Sequence, residues 1–303
     1  MPDAVRQSFD AELAPGLYAV YADEYEALPA SYPDFFNVED TERAYEEIDV
    51  TTGLGTTPVK PESQDVAMDI PLRVGGVRLN ITTYGLGYGV SKELGDDDLY
   101  RVVGEPASRF LAQSGRDTEE RMAWAMLNGS FTTTQAYDQV SIVNTAHPLR
   151  GGGTYSNKAA GDTSLGITAL QASLERHQLM VNERGLKIKQ VPDKLVIPVQ
   201  LQWLAHEILD SSQKPFTSDN TANVMSSGKI GLSPVMSPFL TSTTAWWTAV
   251  TQGKSKHKLC FFWREKPNFD HDYDKSARVA SFYNFFRFGT VAWDWRGLDG
   301  STG

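Results

Sequence analysis

The chain has 303 residues, 41% of them hydrophobic and 11% aromatic, which is enough apolar material for one elaborate folded domain or two ordinary ones. Its formal net charge of −10 excludes nucleic-acid binding by simple charge attraction, so any nucleic acid it meets is contained rather than gripped. The single cysteine, Cys260, excludes an intramolecular disulfide, and no stretch approaches the ~20 apolar residues of a membrane span or the apolar core of a signal peptide. The expectation is a soluble, unexported protein with no membrane partner, and Cys260, flanked by Leu259, Phe261, Phe262 and Trp263, reads as a buried small side chain.

Residues 1–44 mix helix and loop, interrupted by Pro15, Pro29 and Pro33, and carry the pairs Tyr18/Tyr21 and Phe35/Phe36. So many aromatics need a surface to cover, in the same chain or in the next one, and the segment reads as an arm. Residues 45–50 read as a strand, 53–58 as a Gly-bounded tip, 65–70 as a returning strand, and 72–83 as a further extended run. This long hairpin has little apolar content of its own, so it should lie on another body. Gly85, Gly87 and Gly89 alternate along the next strand, as glycines do where backbone approaches a neighbour. Asp96, Asp97 and Asp98 offer caps and favourable charge for a helix start.

A long helix is expected over residues 106–127, with Pro106 in its first turn and a buried stripe of Phe110, Leu111, Ser114, Thr118, Met122, Ala125 and Met126. The polar, Gly-rich residues 132–158 read as a connecting excursion. A second amphipathic helix covers about 164–181, with Leu165, Ala169, Leu170, Leu174, His177 and Val181 near one face. Residues 194–197 form an apolar strand, Pro198 opens a helix through Leu209, and 211–229 is a long Ser/Thr/Asn-rich loop. Strands at 232–240 and 259–263 are assigned to the same subdomain, and 281–295 returns as an aromatic-rich extended run. The whole is an α+β design of two nested modules without repeats.

Catalytic signals are weak. His206-Glu207 lacks the second histidine of a zinc-protease helix, and the five histidines have no metal-ligand spacing. Asp270-His271-Asp272-Tyr-Asp274 reads as a solvated loop, with divalent-cation binding and a metal-dependent hydrolase as the rival. The Gly85 triplet is neither a phosphate loop nor a dinucleotide fingerprint, no G-x-S-x-G elbow occurs, and Trp246-Trp247 reads as core or interface. No catalytic residue, cofactor or metal is assigned.

The ordered motifs nevertheless resemble the tailed-phage major capsid proteins of the HK97 fold, most closely the Mu-like head subunits. They are Gly53-Leu-Gly55 with Val59-Lys-Pro-Glu62, Tyr84-Gly-Leu-Gly-Tyr-Gly-Val-Ser-Lys-Glu93 with Asp96-Asp-Asp98, Asn144-Thr-Ala-His-Pro148 with Gly151-Gly-Gly153, Pro192-Asp-Lys-Leu-Val-Ile-Pro198, and Asp294-Trp-Arg-Gly297. The resemblance implies an N-arm (1–44), an E-loop (45–80), a peripheral P-domain (81–161) with the spine helix at about 106–127, an axial A-domain (162–263), and a return to the P-domain (264–303). It implies subunit contacts through Gly53, Leu54, Gly55 and Lys60 in the E-loop, and through Phe216, Asn220 and Asn223 in the axial loop. The implied function is self-assembly into hexamers and pentamers of an icosahedral virion head enclosing double-stranded DNA. Scaffold, portal and possibly cement proteins would be partners, and assembly would occur in the host cytoplasm. No cleavable scaffolding segment is visible, so a mature chain or a separate scaffold is expected. Lys60, between two prolines, has no assignable cross-linking partner, and non-covalent assembly is expected. An encapsulin-like compartment is the same-fold alternative.

Overall fold

A computed structural model describes residues 9–97, 104–215, 221–227 and 230–303. The chain opens with α1 (Phe9–Ala27), which runs through Pro15 instead of stopping there. β1 (Asn37–Asp40) follows, then β2 (Tyr45–Thr51), β3 (Arg73–Asn80), β4 (Thr82–Ser91) and α2 (Lys92–Asp97). Asp96 and Asp97 therefore close a short helix and do not start one, and Asp98 lies outside the described residues. The spine helix α3 (Gly104–Asn128) is about 37 Å long at 1.5 Å per residue. The excursion carries a two-residue pairing of β5 (His147–Pro148) with β6 (Thr154–Tyr155). After it come α4 (Ile167–Leu179), β7 (Lys194–Pro198), α5 (Gln202–Asp210), β8 (Ser233–Ser237), β9 (Trp246–Ala249), β10 (Leu259–Asp274), β11 (Val279–Ala292) and β12 (Leu298–Ser301).

Two four-stranded sheets organise these elements, ordered β1-β10-β11-β4 and β12-β9-β7-β8. β10 and β11 form one long antiparallel hairpin, with β1 parallel to its base and β4 antiparallel along its far edge. Residues 259–263 thus belong to the first sheet and not with β8, so the 263/264 boundary drawn from sequence falls inside β10. The C-terminal β12 returns to the second sheet, pairing with β9. Local pattern alone hides both facts, because partner choice is a long-range property of a strand.

The two sheets share one core, in which Trp124 and Leu127 of α3 meet Phe261, Phe288, Trp247 and Trp295. β7 shows the two-residue alternation plainly. Val196 faces this core, while Leu195 and Ile197 face a second one under α4 and α5. The face of α3 that is buried differs from the stripe expected from sequence. It comprises Leu111, Ala112, Gly115, Glu119, Glu120, Ala123, Trp124, Met126 and Leu127, whereas Phe110 is 65% exposed and Ala125 faces solvent. Two buried carboxylates disguised the true stripe.

The alternating glycines of β4 do allow close approach. A Cβ on Gly87 would stand 2.4 Å from the Tyr283 ring and 2.8 Å from the Phe282 carbonyl oxygen, so β11 lays its aromatic side chains directly over the β4 backbone. Residues 65–70, expected as a returning strand, carry no regular structure, because β2 pairs instead with β3 from Tyr45↔Asn80 to Thr51↔Arg73. Residues 270–274 are strand, not loop.

Candidate assembly surfaces

The β2–β3 ribbon carries a twenty-residue segment, 53–72, with almost no regular structure and many aliphatic side chains in solvent. Val59 and Met68 are 93% and 91% exposed, and Leu54, Val66, Ile70 and Leu72 are also exposed. Gly53, at a φ of +69°, turns the chain out of the ladder, and Lys60 faces solvent. Six exposed aliphatic side chains on one irregular segment mark an interaction surface.

At its base the segment is fastened to its own subunit. The Asp69 carboxylate accepts the Gly55 N–H at 2.8 Å, the Ile70 N–H at 2.9 Å and Arg184 Nη2 at 3.1 Å, and Arg184 Nη2 also donates to the Ile70 carbonyl at 3.0 Å. The Gly55 N–H first, then the Ile70 N–H and Arg184, hold the Asp69 carboxyl below its ordinary value. Further along the ribbon, the Tyr137 carbonyl oxygen would lie 2.5 Å from a Cβ on Gly75, so only glycine lets the ribbon sit this close to the excursion.

Beneath Arg184 lies a buried ionic network. Arg296 donates to Glu183 Oε1 at 2.6 Å, to the Tyr137 hydroxyl at 2.7 Å, to Asp294 Oδ1 at 3.1 Å and to the Val181 carbonyl at 2.9 Å, and its guanidinium lies 4.4 Å from the Trp295 ring centre. Glu183 also accepts the Tyr137 hydroxyl and the Arg150 N–H. Burial pushes the Glu183 carboxyl up, but the donors from Tyr137, Arg150 and Arg296 outweigh it and leave the carboxyl below its ordinary range. Burial lowers the Arg296 pKa, and the charges of Asp294 and its other partners more than reverse this. The excursion is pinned in the same region. His147 stacks on Trp295 with ring centres 4.2 Å apart, and its ring nitrogens meet Asp138 at 2.6 Å and Asn157 at 3.0 Å.

The N-terminal segment lies over its own chain. Glu119 on α3 accepts the Tyr25 hydroxyl at 2.5 Å and Arg116 at 2.8 Å, while Glu120 accepts the Ser31 hydroxyl at 2.6 Å and Trp124 Nε1 at 2.8 Å. Burial raises the Glu119 pKa, and Tyr25 and Arg116 only partly offset this. Tyr21 packs on Phe269, Tyr32 on Phe261, and Phe35 and Phe36 on Trp124, whereas Tyr18 stays 53% exposed.

Of the axial-loop residues expected from sequence, Phe216 and Asn220 lie outside the described residues. Asn223 is 3% exposed. It donates to the carbonyls of Ile208 (2.6 Å) and Ser211 (3.0 Å) and accepts the Met225 N–H (3.1 Å), so it ties the loop base to α5 instead of facing a neighbour. Nothing in an Asn-rich loop tells which asparagine turns inward. Glu119, Glu120 and Glu183 are not singled out by the sequence reading, where Arg296 enters only within the Asp294–Gly297 motif, and the one local signal is a pair of acids interrupting an apolar helix face one turn before Trp124.

Asp270, Asp272 and Asp274 alternate with His271 and Tyr273 along β10, so the strand sends the imidazole and the carboxylates to opposite faces. No group of three or more His, Cys, Asp or Glu side chains among the described residues could hold a metal ion. His206 Nδ1 bonds instead to Asp210, one turn along α5, at 2.8 Å.

The family described as phage capsid protein matches residues 76–298. No curated protein matches the chain. Among solved structures, the chain is similar to the procapsid of bacteriophage JBD30, at 14% identity over 96% of this chain and 75% of that one, with a TM-score of 0.50. It is similar to the capsid of a native GTA particle, at 10% identity over 90% of each chain and a TM-score of 0.57. It is also similar to a structure of Microbacterium phage Oxtober96, at 11% identity over 90% of this chain and 91% of that one, with a TM-score of 0.54. At these identities the likeness speaks for the fold.

Proposed function

This chain belongs to the phage capsid protein family, and from that premise we propose that it is the major subunit of a phage head, working by self-association into hexamers and pentamers of an icosahedral shell around double-stranded DNA. Its fold is the HK97-type capsid fold. The observation that carries the reading is the 53–72 segment, which displays Val59 and Met68 to solvent while its base is held by Asp69, Arg184 and Gly75. A lone subunit gains nothing from such an arm, and a shell subunit uses it to overlap a neighbour.

In this reading residues 45–80 are the E-loop, with Gly53, Leu54, Gly55 and Lys60 contacting the adjacent subunit. Residues 1–44 are the N-arm, the P-domain is built on α3 and the β1-β10-β11-β4 sheet, and the β12-β9-β7-β8 layer with α4 and α5 is the axial domain. Phe216 and Asn220 remain the axial contacts, and Asn223 ties residue 211 to the end of α5. The ordered Tyr84–Glu93, Asn144–Pro148 and Asp294–Gly297 motifs support kinship with Mu-like heads. Scaffold and portal proteins are expected partners, assembly takes place in the host cytoplasm, and the shell is non-covalent and without catalytic activity. The net charge of −10 suits a container whose DNA must leave.

The test is expression of the chain, sized by light scattering and imaged by electron microscopy. Uniform shells or capsomer rings support the reading. A monomer that stays monomeric even beside its neighbouring genes refutes it.

A further inference from the structure

Six of the seven tryptophans are 6% exposed or less, and the seventh, Trp203 on α5, is 76% exposed. Val199 precedes it by four residues at 45% exposure, and Glu207 follows by four, with Asp210 beyond, both facing solvent. The opposite face of α5, Ala205, Ile208 and Leu209, already fills the core, and Trp203 belongs to none of the core clusters. The stripe is apolar with an acidic end.

The same layer carries a second strip of opposite charge. Leu179, the last residue of α4, is 55% exposed, and along the extended segment that leads to β7 the side chains of Lys187, Lys189 and Val191 face solvent while Gln190 is buried. Lys187 Nζ donates to the Leu179 carbonyl at 3.0 Å, which fixes the segment to the end of α4. Glu175 lies one turn back along α4, and Asp193, two residues past Val191, accepts the Thr251 N–H at 2.6 Å, so Lys187 and Lys189 are the solvent-facing charges of the strip. α4 rests on the β12–β9 side, through Ser173 to Thr248 and Arg176 to Asp299, whereas α5 follows β7 directly and packs beside residues 225–227. The two strips therefore belong to different flanks of one layer.

We propose that these strips bind each other between copies of this chain. The Val199–Trp203–Glu207–Asp210 stripe of one subunit docks on the Leu179–Lys187–Lys189–Val191 strip of the next. Each copy presents both halves, so the contact is head-to-tail, the kind that repeats around an axis in the rings of the proposed shell. Trp203 supplies the buried anchor that hot spots use, and the acid and lysine pairs set the orientation. The proposal rests on the shell-subunit reading and names the contact inside it that joins neighbours around one axis.

The test uses the full chain, co-expressed with its neighbouring genes if it does not assemble alone, and reads particle yield against subunit concentration. Trp203→Ser is expected to raise the concentration needed for assembly by roughly tenfold or more, with an unchanged melting temperature. Lys187→Glu with Lys189→Glu is expected to do the same. Adding Glu207→Lys and Asp210→Lys to that double variant should restore assembly, since the attraction is re-formed with reversed sign. Normal particles from both Trp203→Ser and the lysine double variant, or a four-site variant no better than the double, overturn the docking and leave the shell reading standing. Absence of particles from the unaltered chain in every condition would instead overturn the shell reading itself.

Discussion

Asp69 Oδ1 and Arg184 Nη2 meet at 3.1 Å and join the projecting arm to a turn 115 residues away in sequence. The pair is partly exposed, and its strength comes from company. Gly55 and Ile70 donate to the same carboxylate, and Arg184 also holds the Ile70 carbonyl. Arg184→Ala should therefore leave the melting temperature unchanged but speed proteolysis of residues 53–70 roughly twofold to fivefold, as expected for losing one exposed ion pair. Because the Asp69 carboxyl is held below its ordinary value, the clasp's contribution is full above the ordinary carboxylate value and is lost as pH falls from there through the folded one. Equal cleavage rates for variant and parent would show that the pair does not restrain the arm.

Gly75 tests the other attachment. Its Cβ position lies 2.5 Å from the Tyr137 carbonyl oxygen, a backbone atom that cannot swing aside. Gly75→Ala should cost about 1–3 kcal/mol through overpacking, even though alanine lowers the entropy of the unfolded chain. Thermal denaturation gives the sign directly, and a stabilised variant would mean that the ribbon can lift from the excursion at no cost.

Arg296 is the centre of the buried network, and truncating it strands Glu183 and Asp294 without their shared cation. Arg296→Met should destabilise the subunit by about 3–5 kcal/mol, and Glu183→Gln in the same chain should recover part of the loss by removing the stranded charge. Glu183 has a depressed folded-state pKa, so its contribution is full above the ordinary carboxylate value and disappears as pH falls through the folded one. A urea titration at pH 7 and again near pH 4 should show the cost of Arg296→Met shrinking in acid.

How much of this could be read beforehand depends on range. The spine helix, the strand at 194–198 and the helix after Pro198 announce themselves through local apolar spacing, and Cys260 among aromatics reads correctly as buried, its thiol pushed up to about 12 by that burial. The arm was legible as an arm, but its returning strand was placed at 65–70 when the ladder closes at Arg73, because pairing is decided by the partner strand and not by alternation within one segment. Glu119 and Glu120 could not be read as core, since a buried carboxylate is legible only through its donors, here Tyr25, Ser31 and Trp124, which lie up to 94 residues away or within the same helix turn. The same blindness made Asn223 look like an axial contact.

His257 provides a pH signature for the N-terminal segment. Its Nε2 donates to the Phe35 carbonyl at 2.9 Å, and its Nδ1 accepts the Leu259 N–H at 3.2 Å, so the buried ring is neutral, and burial pushes its pKa down to about 4. A base with a depressed pKa binds fewer protons folded than unfolded, so stability is full above the ordinary histidine value of 6.5 and falls as pH drops toward about 4. The loss should approach about 1.4 kcal/mol per pH unit across that window. His177, also pushed down by burial, adds in the same direction. Chemical denaturation at pH 7, 6 and 5 should show this slope, and His257→Asn should flatten it.

The arm's tip separates folding from assembly. Gly53 to Pro58 lies beyond the last ladder pair, Thr51↔Arg73, and two side chains tie its ends: the Thr52 hydroxyl accepts the Leu72 N–H at 3.1 Å and donates to the Gly53 carbonyl at 2.9 Å, and the Asp69 carboxylate accepts the Gly55 N–H. Removing residues 53–58 takes away the Gly55 N–H that binds Asp69 but no member of the core clusters, so the melting temperature should stay within a few degrees of the parent. The exposed Leu54 would be lost and the course of the segment that carries Val59, Val66 and Met68 would change, and a shell that depends on overlap between neighbours should then fail to close. Light scattering of the deletion variant should find folded subunits or small oligomers in place of particles. Shells of normal size would mean that the arm's exposed aliphatic side chains serve something other than contact with the adjacent subunit.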